Sequence, residues 1–335
     1  MSYAAPAVAF AIALALTALM LRARWQWALD TPNERSLHDR PVPRTGGLAI
    51  MLGAGAAFAL IAWAGHRVPL WAWNIGLPAL LLVLLSLFDD RHNLPVRVRL
   101  PVHLLAALWC TVPLVTFGGG AHWVWLPVLA IGVAGFANLY NFMDGANGLA
   151  GGMGVFGFGA YGIALSGMVG GGAGDPAQAA WCFALAAACA GFLCFNLAGR
   201  IFMGDAGSVP LGFLAAAIGV HGWAAGHWPC WFPLLVFSPF ALDGSVTVLK
   251  RMAQGERFWE PHREHYYQRL VRMGMSHARL AACAYVLMAL CAGAALFALD
   301  APAAGLALIF ATIPVLYAGT AVVIDRRWQH FDRPS

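Results

Sequence analysis

The chain has 335 residues, of which 61% are hydrophobic and only 10% charged. Soluble domains carry about 25% charged residues, so this composition excludes an ordinary soluble globule and implies an integral membrane protein. The formal net charge of +5 does not mark a nucleic-acid binder, because the basic residues sit at the ends of apolar runs. The seven cysteines lie in or near those runs with no CxxC pair. They read as small packed hydrophobes rather than as disulfides or a zinc site.

The first apolar run, 3–21, lacks a charged leader and is long enough to span a bilayer, so it reads as a retained helix. At about 20 apolar residues per span, the chain divides into 3–22, 46–64, 69–88, 100–118, 122–139, 150–169, 178–197, 208–225, 229–249, 278–299 and 302–324. These eleven runs are continuous and rich in Ala and Leu, which disfavours a β-barrel. No repeat and no low-complexity tail breaks the sequence. The expected fold is therefore all-α and polytopic, with residues 1–335 as one membrane-embedded catalytic domain.

Orientation follows from Lys and Arg. Of the 20 such residues, only Arg67 falls on the side opposite the C-terminus. That strong bias puts the C-terminus in the cytoplasm and the N-terminus outside. Trp63, Trp71, Trp73, Trp123, Trp125, Trp181, Trp223, Trp228 and Trp231 gather at the expected outer ends, as an aromatic belt would. The longest cytoplasmic stretch is 250–277. Within it Pro261 can open a helix, and 263–273 has the apolar and basic faces of a helix lying against headgroups.

Three acidic loops fall at the cytoplasmic ends of spans: Phe88-Asp89-Asp90-Arg91, Asn141-Phe-Met-Asp144-Gly-Ala-Asn147-Gly, and Ile201-Phe-Met-Gly-Asp205-Ala-Gly-Ser208. Carboxylates brought close together raise one another's pKa unless a cation intervenes. A hard divalent ion such as Mg²⁺, with Mn²⁺ as a substitute, suits short Asp side chains that share it with water and phosphate. Gly204 and Gly207 permit tight turns, and free N–H groups at a helix starting near Ser208 would suit a phosphate. Asp89-Asp90 alone fits a solvated helix cap equally well. Asp243, without a motif around it, reads as a packing or capping residue.

His262-Arg263-Glu264-His265 is the remaining constellation. On a helix, His262 and His265 share a face, and with Arg263 between them they suit an anion. Arg40, Arg44, Arg97, Arg99 and Arg200 can help neutralise a pyrophosphate, although ordinary positive-inside residues look the same. His103, His122, His221 and His227 read as structural. No G-x-x-x-x-G-K-[ST] cradle is present, which argues against an ATPase.

At these residues the chain resembles the polyprenyl-phosphate N-acetylhexosamine-1-phosphate transferases, glycosyltransferase family 4. The matching stretches occur in order: Pro41-Val-Pro-Arg44-Thr-Gly-Gly47, Phe88-Asp-Asp90, Asn141-Phe-Met-Asp144-Gly, Ile201-Phe-Met-Gly-Asp205-Ala-Gly-Ser208 and Pro261-His-Arg-Glu-His265. The resemblance implies eleven spans in the bacterial inner membrane and an active site on the cytoplasmic face. It implies transfer of a sugar-1-phosphate from a UDP-N-acetyl amino sugar to undecaprenyl phosphate, with UMP released and Mg²⁺ required. It makes Asp89, Asp90 and Asp144 the catalytic candidates, with Asp89 handling the lipid phosphate. Asp205 and Asp144 become the metal candidates. Asn141, Asn147, Asn196, Arg44, Arg200, His262, Arg263 and His265 become substrate contacts, and a homodimer is left open.

One departure stands out. The family usually reads Asp-Gly-x-Asp-Gly, whereas here Asn147 replaces the second acid, and an amide cannot act as a base near neutral pH. The form Pro-His-Arg-Glu-His resembles the O-antigen and exopolysaccharide branch, not the peptidoglycan branch. The competing reading is a transporter of a lipid-linked sugar or a cation. The acids, however, collect on one face instead of near the midplane, and no inverted repeat is visible.

Overall fold

The computed structural model describes residues 4–23, 29–30, 41–64, 68–92, 94–117, 123–171, 174–256 and 263–331. Every apolar run holds a helix, because a backbone in hydrocarbon must satisfy its own hydrogen bonds. In chain order these are α1 (Ala4–Arg22), α2 (Gly46–Trp63), α3 (Leu70–His92), α4 (Val96–Phe117), α5 (Trp125–Phe142), α6 (Leu149–Leu165), α7 (Pro176–Asn196) and α8 (Asp205–Ala224). There follow α9 (Trp231–Val236), α10 (Ser238–Ala253), α11 (Tyr266–Arg272), α12 (His277–Asp300) and α13 (Ala303–Phe331). The only strands among the described residues are β1 (Leu29–Asp30) and β2 (Val42–Pro43), which pair antiparallel.

Among the described residues, nine helices are long and apolar enough to cross a membrane. Two of the eleven expected spans differ. The sixth is α6, with 17 residues. The ninth is broken into α9 and α10 at Phe237, just before Pro239, whose ring cannot continue a helix from the preceding turn. The protein is thus an all-α polytopic membrane protein.

Local signals set the helix ends. Asp175 caps α7 by accepting from Gln178 N–H at 2.9 Å, with Pro176 at the first helical position. Ser276 caps α12 by accepting from Arg279 N–H at 3.3 Å. Between helices, small residues let backbones approach closely, the usual solution where lipid removes the hydrophobic drive for association. Ala5, Ala9 and Ala13 of α1 are fully buried against α2 and α7. Gly53 of α2 lies against the Ala9 carbonyl, and Gly191 of α7 against that of Phe10.

Helix α8 is the most buried of the long apolar helices and packs against α2, α3, α4, α5 and α6. It is therefore the post around which the acid-bearing helix ends are arranged. Helix α13 is the opposite case. It packs on α11 and α12, and Ile324 is its one buried residue.

Candidate active site

Asp205 opens α8. Gly204, its N-cap, has φ +73°, a left-handed conformation that glycine adopts without strain. A side chain there would also run into the Arg44 carbonyl. The cause is a short backbone pairing between two distant stretches. Phe202 N–H donates to Pro43 O at 2.8 Å, Gly46 N–H to Phe202 O at 3.0 Å, and Gly47 N–H to Met203 O at 2.8 Å. The stretch Pro41–Gly47 thus lies along the Asp205 loop and delivers Arg44 to it.

Arg44 Nη2 stands 3.4 Å from Asp205 Oδ1 and 3.4 Å from Asp90 Oδ1. Asp90 Oδ1 is buried and has no hydrogen-bond partner. Its neighbour Asp89 is buried at the end of α3, where its carboxylate accepts from Leu94 N–H at 2.6 Å and from Arg99 Nη1 at 2.8 Å. The same Arg99 Nη1 is 3.8 Å from Asp205 Oδ2. Two arginines therefore link three carboxylates drawn from α3 and α8.

Asp144 lies in the turn between α5 and α6, within electrostatic reach of Asp205, Asp90 and Arg44. Burial, then repulsion from Asp205, pushes its carboxyl well above the ordinary range, against a smaller pull from Arg44. Asn141, at the end of α5, accepts from Ser208 Oγ at 2.6 Å and lends a hydrogen bond to Asp205. Asn196 holds the two loops apart at a fixed spacing. Its Oδ1 accepts from Gly148 N–H at 2.7 Å, and its Nδ2 donates to Ile201 O at 2.8 Å.

On the other flank, α11 docks on the Asp144 turn. Tyr267 OH donates to Phe142 O at 2.9 Å, and the His265 and Phe142 rings are 6.0 Å apart. Asp243 of α10 fixes the start of α11, accepting from Tyr266 N–H at 2.9 Å and Tyr267 N–H at 3.1 Å. It also faces His265 Nδ1 at 3.4 Å.

The sequence profile of Glycosyl transferase family 4 matches residues 72–222, from α3 through α8, and so covers Asp89, Asp90, Asp144 and Asp205. Over that stretch the chain is similar to this family, and its curated relatives are named as polyprenyl-phosphate N-acetylglucosamine-1-phosphate transferases. A Bacillus subtilis relative, a probable undecaprenyl-phosphate N-acetylglucosaminyl 1-phosphate transferase, is 27% identical over 75% of this chain and 71% of its own. The Mycobacterium tuberculosis decaprenyl-phosphate N-acetylglucosaminephosphotransferase is 28% identical over 92% of this chain and 85% of its own. The Yersinia pestis undecaprenyl-phosphate alpha-N-acetylglucosaminyl 1-phosphate transferase is 29% identical over 79% and 74%.

The residues expected from sequence fall into three groups. Asp89, Asp90, Asp144, Asp205, Asn141 and Arg44 come together, and Asn196 braces them. His265 and Arg263 lie on the α11 flank, while His262 is outside the described residues. Arg200 is exposed in the turn after α7, and no described contact ties it to the acids. The expected helix start at 263 needs correction. Helix α11 begins at Tyr266, not at 263, and His265 is its N-cap with ψ 146°. Asn147 turns its side-chain amide toward Gly199, and its backbone N–H donates to His277 Nδ1 at 3.3 Å. The missing acid at position 147 therefore leaves the pairings of the other aspartates in place.

Asp243, Tyr267 and Ser208 were not singled out for this role by sequence. Asp243 was read as a capping residue, and it caps, but the helix it caps is α11.

A divalent cation fits the donor set. The oxygens are hard, Asp90 Oδ1 accepts no hydrogen bond beyond its ion-pair contact with Arg44, and Asp144 carries a carboxyl that burial disfavours as an uncompensated anion. Among the described residues, no three His, Cys, Asp or Glu side chains stand close enough to form a complete ligand set. That arrangement suits an ion that keeps waters and takes further oxygens from a substrate phosphate.

Proposed function

We propose that the protein transfers N-acetylhexosamine-1-phosphate from a UDP-sugar to undecaprenyl phosphate, on the cytoplasmic face of a bacterial plasma membrane. The observation that carries this reading is the meeting of Asp89, Asp90, Asp144 and Asp205 with Arg44 and Arg99 at one end of the bundle. The names of the relatives make N-acetylglucosamine the first sugar to test. The Pro-His-Arg-Glu-His form favours a role at the start of O-antigen or exopolysaccharide synthesis.

An oxygen of the lipid phosphate attacks the sugar-bearing phosphorus of the donor. A new P–O–P bond forms, the bond to UMP breaks, and UMP leaves in line with the attack. Asp205 and Asp144 would hold the Mg²⁺, which when bound would supply charge neutralisation for the diphosphate and the departing UMP. Asp89 and Arg99 form one unit that orients the acceptor phosphate. Asp90 holds Arg44 beside Asp205, where its guanidinium can reach diphosphate oxygens with paired donors. His265, fixed by Asp243, and Arg263 approach from the α11 flank as further donors. Asn141 keeps Asp205 turned toward the site.

The test is direct. Purified protein is incubated with undecaprenyl phosphate, Mg²⁺ and a panel of UDP-N-acetyl amino sugars, and UMP is measured. We expect release with at least one donor, strictly dependent on lipid phosphate and cation. Asp205→Asn should lower release by about a thousandfold while melting temperature and helical content hold, because several kcal/mol of charge stabilisation are lost. Near-normal turnover in that variant removes the metal assignment. A folded wild-type protein that releases no UMP from any donor removes the reading.

A further inference from the structure

Away from the acidic cluster, a cavity of about 560 Å³ opens at the same end of the bundle, between α10, α11 and the last turns of α13. Its walls include Lys250, Arg269, Arg272, Glu264, Asp325 and Trp328. We propose that it is a binding site for the phosphodiester headgroup of an anionic membrane lipid, with the acyl chains lying along α13. The inference does not depend on the transferase reading.

The charges make the case for an anion. Asp325 is already shared, by Lys250 Nζ at 2.6 Å, Arg269 Nη1 at 3.0 Å and Tyr266 OH at 3.3 Å. Glu264 is held by Arg251 at 2.9 Å, and Arg251 also holds Glu256 at 2.7 Å. Among the described residues the cations Lys250, Arg251, Arg269 and Arg272 thus face the carboxylates of Glu256, Glu264 and Asp325, which leaves one positive charge in excess. That excess sits at Arg272. Among the described residues it meets no carboxylate; its guanidinium lies 4.5 Å from the centre of the Trp328 ring. Arg269 lies 5.5 Å from the same ring. Two guanidiniums beside one indole repel each other, and among the described residues Asp325 alone pairs with either of them. A singly charged phosphodiester would balance the surplus, and each guanidinium offers it paired N–H donors.

The apolar half of such a ligand also has a place. Val322 and Val323, one turn before the cavity, and Leu316 above them are exposed on α13. A helix this sparsely covered by protein presents that surface to lipid. A free phosphate could use the arginines but would gain nothing from the α13 surface.

Delipidated full-length protein in detergent is titrated with phosphatidylglycerol, phosphatidylcholine or sodium phosphate, and binding is read by native mass spectrometry. Wild type should bind phosphatidylglycerol in preference to phosphatidylcholine, and millimolar phosphate should not displace it. Arg272→Gln, at an exposed position, should weaken phosphatidylglycerol binding about fivefold, the worth of one cation near an anionic surface. Arg272→Lys, which keeps the charge and loses the planar fork, should fall between, and it serves if the Gln variant fails to fold. Arg279→Gln, an exposed arginine outside the cavity, should bind as wild type does. The proposal is overturned if the two lipids bind equally, if inorganic phosphate competes as well as lipid, or if Arg279→Gln weakens binding as much as Arg272→Gln.

Discussion

Asp144 carries the clearest electrostatic consequence at the scale of a single residue. In the cation-free protein its carboxyl is held above the ordinary range, so folding favours the protonated form. That contribution to stability is fully present below the ordinary aspartate pKa of about 4 and is lost as pH rises through the raised value. A cation needs the carboxylate and offsets the loss. Thermal stabilisation by a fixed Mg²⁺ concentration should therefore grow from acid to slightly alkaline pH, and Asp144→Asn should flatten the trend. Melting curves at pH 5.5 and pH 8 check this, and a larger Mg²⁺ effect at the acid end contradicts it.

Asp243 offers a second residue-level test. It touches two backbone N–H groups and His265, so it acts through the histidine as a positioning residue. Replacement by Asn puts an amide N–H against one of those donors. Turnover should fall about ten- to a hundredfold, the range seen when an outer partner of a working group is removed. In a His265→Ala background the same change should cost little more, because residues acting through one another are non-additive. Full additivity of the two losses would mean that Asp243 acts elsewhere. At position 147, where the motif usually carries an acid, the Asn147 side chain lies against Gly199.

Among the elements, the decisive contact is the one between Pro41–Gly47 and the loop ahead of α8. Gly47 and Gly207 meet backbone to backbone, and a Cβ on Gly47 would overlap the Gly207 Cα. Gly47→Ala should cost about 1–3 kcal/mol of stability by overpacking, and it should lower activity by carrying Arg44 away from Asp205 and Asp90. Denaturation midpoints and UMP release measure the two effects, and a fully stable, fully active variant rules the contact out as a determinant. Sequence gave no sign of this pairing, since it joins stretches about 160 residues apart that lack any shared periodicity. The three acidic loops were legible for the opposite reason: each interrupts a long apolar run. The start of α11 was misplaced by three residues because the capping signal, Asp243, comes from another helix.

The whole molecule was legible as a membrane bundle from hydropathy, which dominates folding in lipid. The exact spans were less so, because α6 is short and α9 and α10 are split by local chemistry near Pro239. The inward placement of the acid-bearing end still rests on the distribution of Lys and Arg. Cys230, exposed between α8 and α9, tests it from the far side. A membrane-impermeant maleimide should label it in intact spheroplasts, and Cys230→Ser should abolish the signal at that position. Labelling only in inverted vesicles would reverse the orientation.

The antiparallel clasp of residues 43–47 on residues 202–203 also has a bearing on biogenesis. Arg44 leaves the ribosome long before its partners on α8 are made, and it must wait beside the bilayer while six helices insert. Until the clasp closes, the nascent bundle holds Asp89 and Asp90 without Asp205. On the proposed function, turnover therefore waits for α8, the helix whose insertion brings Asp205 to Arg44.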